Sequence, residues 1–283
     1  MKKRLRLPIL IILILLALVG YFRFTGTMEA LRLSDRQVID LDRMVAEIRN
    51  SRLVFVGENH DRKDSHQAQL AVIKKLHNSG VPLEIGMEMF TATSQAELDR
   101  WVAGNSRLDD FIKFYSSQWH LPWHLYRDIL LYARDNRIPL IGLNVPPEIT
   151  RKVARRGFAA LSPGERGQLP EVVCMVDPPY MDFIRKAYQM HPGSDRSFTY
   201  FCEAQMLWNK SMGFHLKRYL GSNPHRTVVV LAGIGHAMKP AIPDEVFKGT
   251  GYNYTVILPD MSDQETTSAE SDYLVLFKRL LPT

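Results

Sequence analysis

The 283-residue sequence predicts an α/β fold: a mostly parallel sheet flanked by helices, with an inserted small helical subdomain and an N-terminal membrane segment. Short, unbroken apolar runs such as RLVFV (52–56) and TVVVLA (227–232) alternate with helical stretches, as strands do when helices cover both faces of a parallel sheet. This rhythm stops at Phe158 and resumes after Ser197. A charge-free run of 16 residues, Leu7 to Phe22, stands ahead of it.

That run is intermediate in length, since a signal-peptide core takes about 7–15 residues and a spanning helix about 17–25. Arg23 and Phe24 follow it directly with no Ala-x-Ala-like cleavage site, and no cysteine is near to take a lipid. Residues 1–24 are expected to be a signal-anchor or a cleaved signal peptide. Lys2, Lys3, Arg4 and Arg6 precede the run, which holds that end in the cytoplasm and puts the domain on the extracytoplasmic, periplasmic side. These four and Arg23 account for five of the 36 basic residues, leaving 31 against 30 acidic ones. The folded part therefore carries no basic stripe of the kind nucleic-acid binders use, and no nucleic-acid partner is expected. Cys174 and Cys202 suit an oxidising compartment, where a disulfide would close a loop of 27 intervening residues; two buried free thiols are the alternative.

Along the chain, Arg32–Arg49 reads as a helix, with Leu41, Met44, Val45 and Ile48 on one face. Strand 52–56 follows, then a helix from Ser65 to Asn78 stopped by Gly80. Strand 83–89 (LEIGMEM) leads to a capping box of Ser94 and Glu97 and a short helix closed by Gly104. Phe111–Arg134 is helical with a break near Pro122, Pro139–Leu143 is a strand, and Pro146-Pro147 opens a helix ending at Gly157. An amphipathic helix, Pro178–Met190, lies in the insertion, and a long helix from Phe198 to Leu220 returns to the core. Strands 227–232, 252–258 and 273–277 complete the sheet. The expected organisation is a core domain of 32–157 and 198–283 interrupted by a helical subdomain, 158–197.

In open α/β sheets the ligand crevice lies beyond the carboxyl ends of the strands. Here Glu58 and His60 follow the first of the core strands, Glu88 ends the second, Asn144 the third and His236 follows the fourth. A parallel sheet brings all five to one edge. Glu58, His60, Glu88 and His236 are acid/base and metal-ligand types, and Asn144 would support them. Glycines mark many strand ends, so neither turn says much alone. A carboxylate inside LEIGMEMF, however, costs several kcal/mol unless it is paired.

Gly57-Glu58-Asn59-His60, Glu88-Met89-Phe90, Ile141 to Asn144, Ala204-Gln205-x-x-Trp208-Asn209-x-x-Met212, Ala232-Gly-x-Gly-His236 and Ser271-Asp272-Tyr273 occur in that order. As a set they resemble the ChaN-like haem-binding uptake family of the Tiki/erythromycin-esterase superfamily, from about Val38 to the C-terminus. An Asp is usual where Asn209 stands, and a Cys lipid anchor where this chain has its apolar run. The resemblance implies an extracytoplasmic, membrane-associated haem-binding protein of iron uptake, dimeric, with stacked haems held by tyrosine from the insertion. As the alternative it implies the superfamily's metal-assisted or Glu/His-based hydrolysis, in which His60, His236 and Glu88 would hold a divalent metal ion.

On the insertion helix Tyr180, Ile184, Tyr188 and His191 share one face. Tyr180 and Tyr188 are the first candidates for haem iron; a face packed on the core is the alternative. Gln205, Asn209 and Met212 lie on one face of the long helix, where the amides would orient the cluster or bond neighbouring backbone. His120 and His124 have metal-helix spacing, but Pro122 separates them. Trp119, Trp123 and Tyr126 are expected to cover the sheet.

Overall fold

The computed structural model describes residues 27–190, 197–260 and 265–278; the N-terminal segment 1–24 and His191 lie outside the described residues. Eight strands form one sheet: β1 (Thr27–Arg32), β2 (Gln37–Asp40), β3 (Leu53–Glu58), β4 (Leu83–Thr91), β5 (Leu140–Asn144), β6 (Thr227–Gly233), β7 (Tyr254–Pro259) and β8 (Tyr273–Lys278). Their spatial order is β2-β1-β8-β7-β3-β6-β4-β5. Every pair from β8 across to β5 is parallel, whereas β1 and β2 extend the sheet antiparallel.

Among the described residues the helices of eight residues or more are α1 (Leu41–Ile48), α2 (Lys63–Asn78), α3 (Gln95–Val102), α4 (Leu108–Gln118), α5 (Trp123–Asp135), α6 (Pro147–Arg156), α7 (Pro178–Met190), α8 (Phe198–Ser222) and α9 (Ile242–Thr250), and a single helical turn, Ile234–Ala237, carries His236 after β6. Successive strand residues point to opposite faces, so each buried strand feeds two cores. Val54, Val56, Ile85, Met87, Val229 and Leu231 pack with α1 to α5 on one face. Leu53, Phe55, Val228, Val230 and Ala232 pack with α6 to α9 on the other. Val172, Tyr180 and Ile184, from the stretch read as an insertion, belong to this second core. Among the described residues no helix is long and apolar enough to cross a membrane.

Two local expectations are corrected. Arg32–Arg49 is not one helix, because the chain makes the β1–β2 hairpin around Arg36, which adopts φ 57°, before α1 begins. Asp40 then caps α1, its Oδ1 accepting from Arg43 N at 2.7 Å. Ser94 does not cap α3; its hydroxyl bonds Thr91 Oγ1 at 2.7 Å and Gln118 Oε1 at 2.9 Å. That draws the end of β4 onto α4 instead. His120 and His124 stand on different elements, one in the α4–α5 connection and one in α5, and both are exposed. Cys174 and Cys202 are joined as a disulfide, Cα to Cα 5.5 Å, which ties the segment before α7 to α8.

Candidate functional site

β6 lies between β3 and β4, with Glu58 in register with Gly233 and Met87 with Leu231. The carboxyl ends of these three strands therefore adjoin, and Glu58, His60, Glu88 and His236 gather there. Parity divides them. Glu58 shares the face of Val54 and Val56, while Glu88, one place after Met87, points to the opposite face.

Glu58 is 1 % exposed and fully surrounded by donors. His60 Nδ1–H donates to its Oε1 at 2.7 Å, Gln69 Nε2 donates to its Oε2 at 2.7 Å, and the Tyr126 hydroxyl donates to Oε1. His66 Nδ1 stands 3.4 Å from Oε2. Gln69 also gives an N–H to Val56 O at 3.1 Å, so its amide nitrogen faces two acceptors and its Oε1 must accept from His66 Nδ1 at 3.3 Å. The other His66 nitrogen meets the His60 carbonyl at 3.0 Å. Both nitrogens of His66 thus face acceptors, the arrangement of an imidazolium. Burial opposes its charge, but the Glu58 hydrogen bond and charge raise its pKa. Burial likewise opposes the Glu58 carboxylate, yet the hydrogen bonds and charges of His60 and His66 hold its pKa at about 2.

His60 sits at the solvent edge of this set, its side chain 37 % exposed and its ring edge-on to Trp119 at 5.2 Å. Burial lowers its pKa, but the Glu58 bond and the charges of Glu88 and Glu58 outweigh that and push it up to about 9.

On the other face, Glu88 Oε2 accepts from Gly233 N at 2.7 Å, and its Oε1 lies 3.9 Å from His236 Nε2. His236 Nδ1 is 2.7 Å from Asn209 Oδ1 on α8, with Trp208 edge-on to the ring at 5.6 Å. Burial lowers the His236 pKa against the opposing charge of Glu88. Asn209 Nδ2 donates to the Tyr180 hydroxyl at 2.8 Å, and that hydroxyl donates to Gly235 O at 2.7 Å. Gly233 is the hinge between the two sets. A Cβ there would lie 2.8 Å from His60 Nε2 and 3.7 Å from Glu88 Oε2, so only glycine lets both groups approach.

Asn144 supports the backbone rather than the side chains, donating to Glu88 O at 2.8 Å and accepting from Val145 N at 2.8 Å. Gln205 lies half-buried one turn before Asn209 on the same side of α8. Tyr180 is 3 % exposed. Tyr188 is half-buried against Phe198 and Phe201, each 5.5 Å away.

The expected divalent-ion set of His60, His236 and Glu88 finds no support in the structure. Among the described residues no three His, Cys, Asp or Glu side chains converge to hold a metal. Glu88 Oε2 is taken by Gly233 N and His236 Nδ1 by Asn209 Oδ1. Three members were missed: His66, Gln69 and Tyr126. The available signal was His66 and Gln69 sharing one helix face with Val72, Ile73 and Leu76, all buried in α2.

The fold and site define an α/β protein with two buried carboxylate–imidazole sets, one per face, meeting at the carboxyl edge of a parallel sheet. A family model described as haem-binding uptake, Tiki superfamily, ChaN matches residues 44–246, and the chain belongs to that family. Its structure is similar to that of ChaN of Campylobacter jejuni with cofacially bound haem, at TM-score 0.71 and 16 % identity over 89 % of this chain and 97 % of that one. An erythromycin esterase mutant in its open conformation is similar at TM-score 0.50 and 13 % identity, over 89 % and 83 % of the two chains. Likeness at these identities concerns the fold. The chloroplastic protein RETICULATA-RELATED 5 of Arabidopsis thaliana is 29 % identical over 135 residues, 45 % of this chain. The chain spans 18 % of that relative's length.

Proposed function

We propose that this protein binds haem on the extracytoplasmic face of a membrane, to which residues 1–24 attach it, as a homodimer serving iron and haem uptake. Membership of the haem-binding uptake family across residues 44–246 carries the reading. The Cys174–Cys202 disulfide supports the compartment, since such bonds persist outside the cytoplasm.

The donor chemistry fits haem. α7 offers two phenols, and the same stretch presents Val173, Met175 and Met190 to solvent, Met175 at 80 % exposure. Exposed apolar side chains on the stretch that carries the tyrosines suit a porphyrin and its iron. Tyr180 is buried with its hydroxyl bonded to Gly235 and Asn209, whereas Tyr188 on the same helix is half-buried, and on that difference in access we assign the iron to Tyr188. When bound, haem supplies the iron chemistry; the chain holds and shields it. Titration of the purified protein with haem is expected to give a Soret band that Tyr188→Phe abolishes and Tyr180→Phe retains. A titration unchanged in Tyr188→Phe removes this assignment, and absence of any Soret band removes the haem reading.

A second reading, Glu/His-based hydrolysis without a metal, has one observation in its favour. The edge holds a cationic imidazole, His60, and one whose burial disfavours charge, His236, on either side of Gly233. These are an acid and a base. Ester hydrolysis lost in His236→Gln is its expected sign, and no turnover on an ester panel counts against it.

A further inference from the structure

We infer that Tyr180 is a positioning residue which, through Asn209, holds His236 in a single tautomer, with hydrogen on Nδ1 and the Nε2 lone pair turned toward Glu88. This goes beyond the haem reading and does not rest on it. It follows from which atoms can give a proton and which cannot.

The Gly235 carbonyl accepts only, so the Tyr180 O–H, 2.7 Å away, must donate to it. The Tyr180 oxygen then has only lone pairs to offer and takes its second bond from an N–H. An asparagine amide is otherwise ambiguous by a half-turn. Here its nitrogen must face Tyr180, at 2.8 Å, and its oxygen must face His236, at 2.7 Å. An amide oxygen accepts only, so the proton is on His236 Nδ1. His236 is 8 % exposed and its Nε2 stands 3.9 Å from Glu88 Oε1, beyond hydrogen-bond reach, so a second proton there would leave a buried N–H without an acceptor. Asn209 is 1 % and Tyr180 3 % exposed, so water does not replace either bond if the chain of donors is reversed.

A carbonyl at the turn after β6 thus dictates, through two side chains from α7 and α8, how an imidazole presents itself at the sheet edge. A ligand meeting His236 Nε2 must bring a proton, as water, an alcohol or a protonated acid does. A carbonyl or carboxylate oxygen finds no donor there.

The full chain in detergent, labelled with [15N]histidine, reports the tautomer through long-range proton–nitrogen correlations, with His236 assigned by its loss in His236→Gln. The wild type is expected to show one tautomer, protonated at Nδ1 and bare at Nε2. Tyr180→Phe keeps the ring in the core but removes the link to Gly235, and should give a mixture in which Nε2–H becomes populated. Asn209→Ala should do the same from the other side, and it serves if Tyr180→Phe does not fold. Packing alone would not move these nitrogen shifts between tautomers. A wild-type proton on Nε2, or an unmoved tautomer in the folded variants, overturns the inference.

Discussion

Glu58 shows how a charge is kept inside this protein. Its oxygens accept from His60, Gln69 and Tyr126, and His66 sits behind it as a buried counter-ion. Removing one partner of a buried ion pair leaves the other uncompensated and costs about 3–5 kcal/mol. His66→Leu is therefore expected to lower stability by about that amount in urea unfolding. Gln69→Leu, which deletes a neutral donor, should cost about 1–3 kcal/mol. Equal effects of the two would mean that His66 is neutral. Glu58 and Glu88 were legible as polar exceptions at the ends of apolar strands. His66 was less so, since a histidine in the first turn of a helix reads as surface until the strand beneath it is known.

At the level of elements, most strands and helices were legible because buried strands and amphipathic helices carry their own periodicity. The β1–β2 hairpin was not. It is a short sheet edge whose β2 buries only Ile39 among exposed neighbours, and the helix signal of Leu41–Ile48 extends across it. The opposite edge, β5, is closed by a side chain: Gln95 donates to Leu140 O at 2.7 Å and accepts from Gly142 N at 3.1 Å, as a neighbouring strand would. Gly142 has a separate reason to be glycine, because a Cβ there would run into the Thr91 carbonyl where the β4–β5 register shifts. Gly142→Ala should cost about 1–3 kcal/mol and lower the melting temperature; an unchanged melting temperature would show that the strands can part. The disulfide joins the segment before α7 to α8 over a span of 28 residues. Cys174→Ser with Cys202→Ser should lose about 3 kcal/mol relative to the oxidised wild type. Wild type under reductant should match the double variant, and a midpoint insensitive to reductant would count against a stabilising role.

Over the whole molecule, the ionic pair at the sheet edge makes stability depend on pH on both sides. Folding raises the His60 pKa from 6.5 to about 9, so its contribution is complete below pH 6.5 and is lost as pH rises through 9. Folding lowers the Glu58 pKa from 4.5 to about 2, so its contribution is complete above pH 4.5 and is lost as pH falls through 2. Both belong largely to one interaction and count once. The stability difference between wild type and His60→Gln should be greatest between those limits and shrink toward alkaline pH. Urea midpoints at about pH 5.5, 7.5 and 9.5 check this. A difference that does not fall by the last of these rules out an ionic His60.

Local chemistry was enough to place the polar residues at one edge. Strand composition implies parallel pairing, and parallel pairing aligns carboxyl ends. What the fold alone settled is how those residues divide. Alternation along β3 and β4 sends Glu58 to the α2–α5 layer and Glu88 to the α8 layer. One aligned set of residues becomes two sets, each with its own hydrogen-bond partners, that meet at Gly233. The partners that complete them, His66, Tyr126 and Tyr180, come from helices whose docking no spacing in the chain encodes. Tyr180 is the clearest case: its helix was legible down to the bounds Pro178–Met190. Its hydroxyl's task depends on a carbonyl 55 positions away, at Gly235, which only packing brings within 2.7 Å.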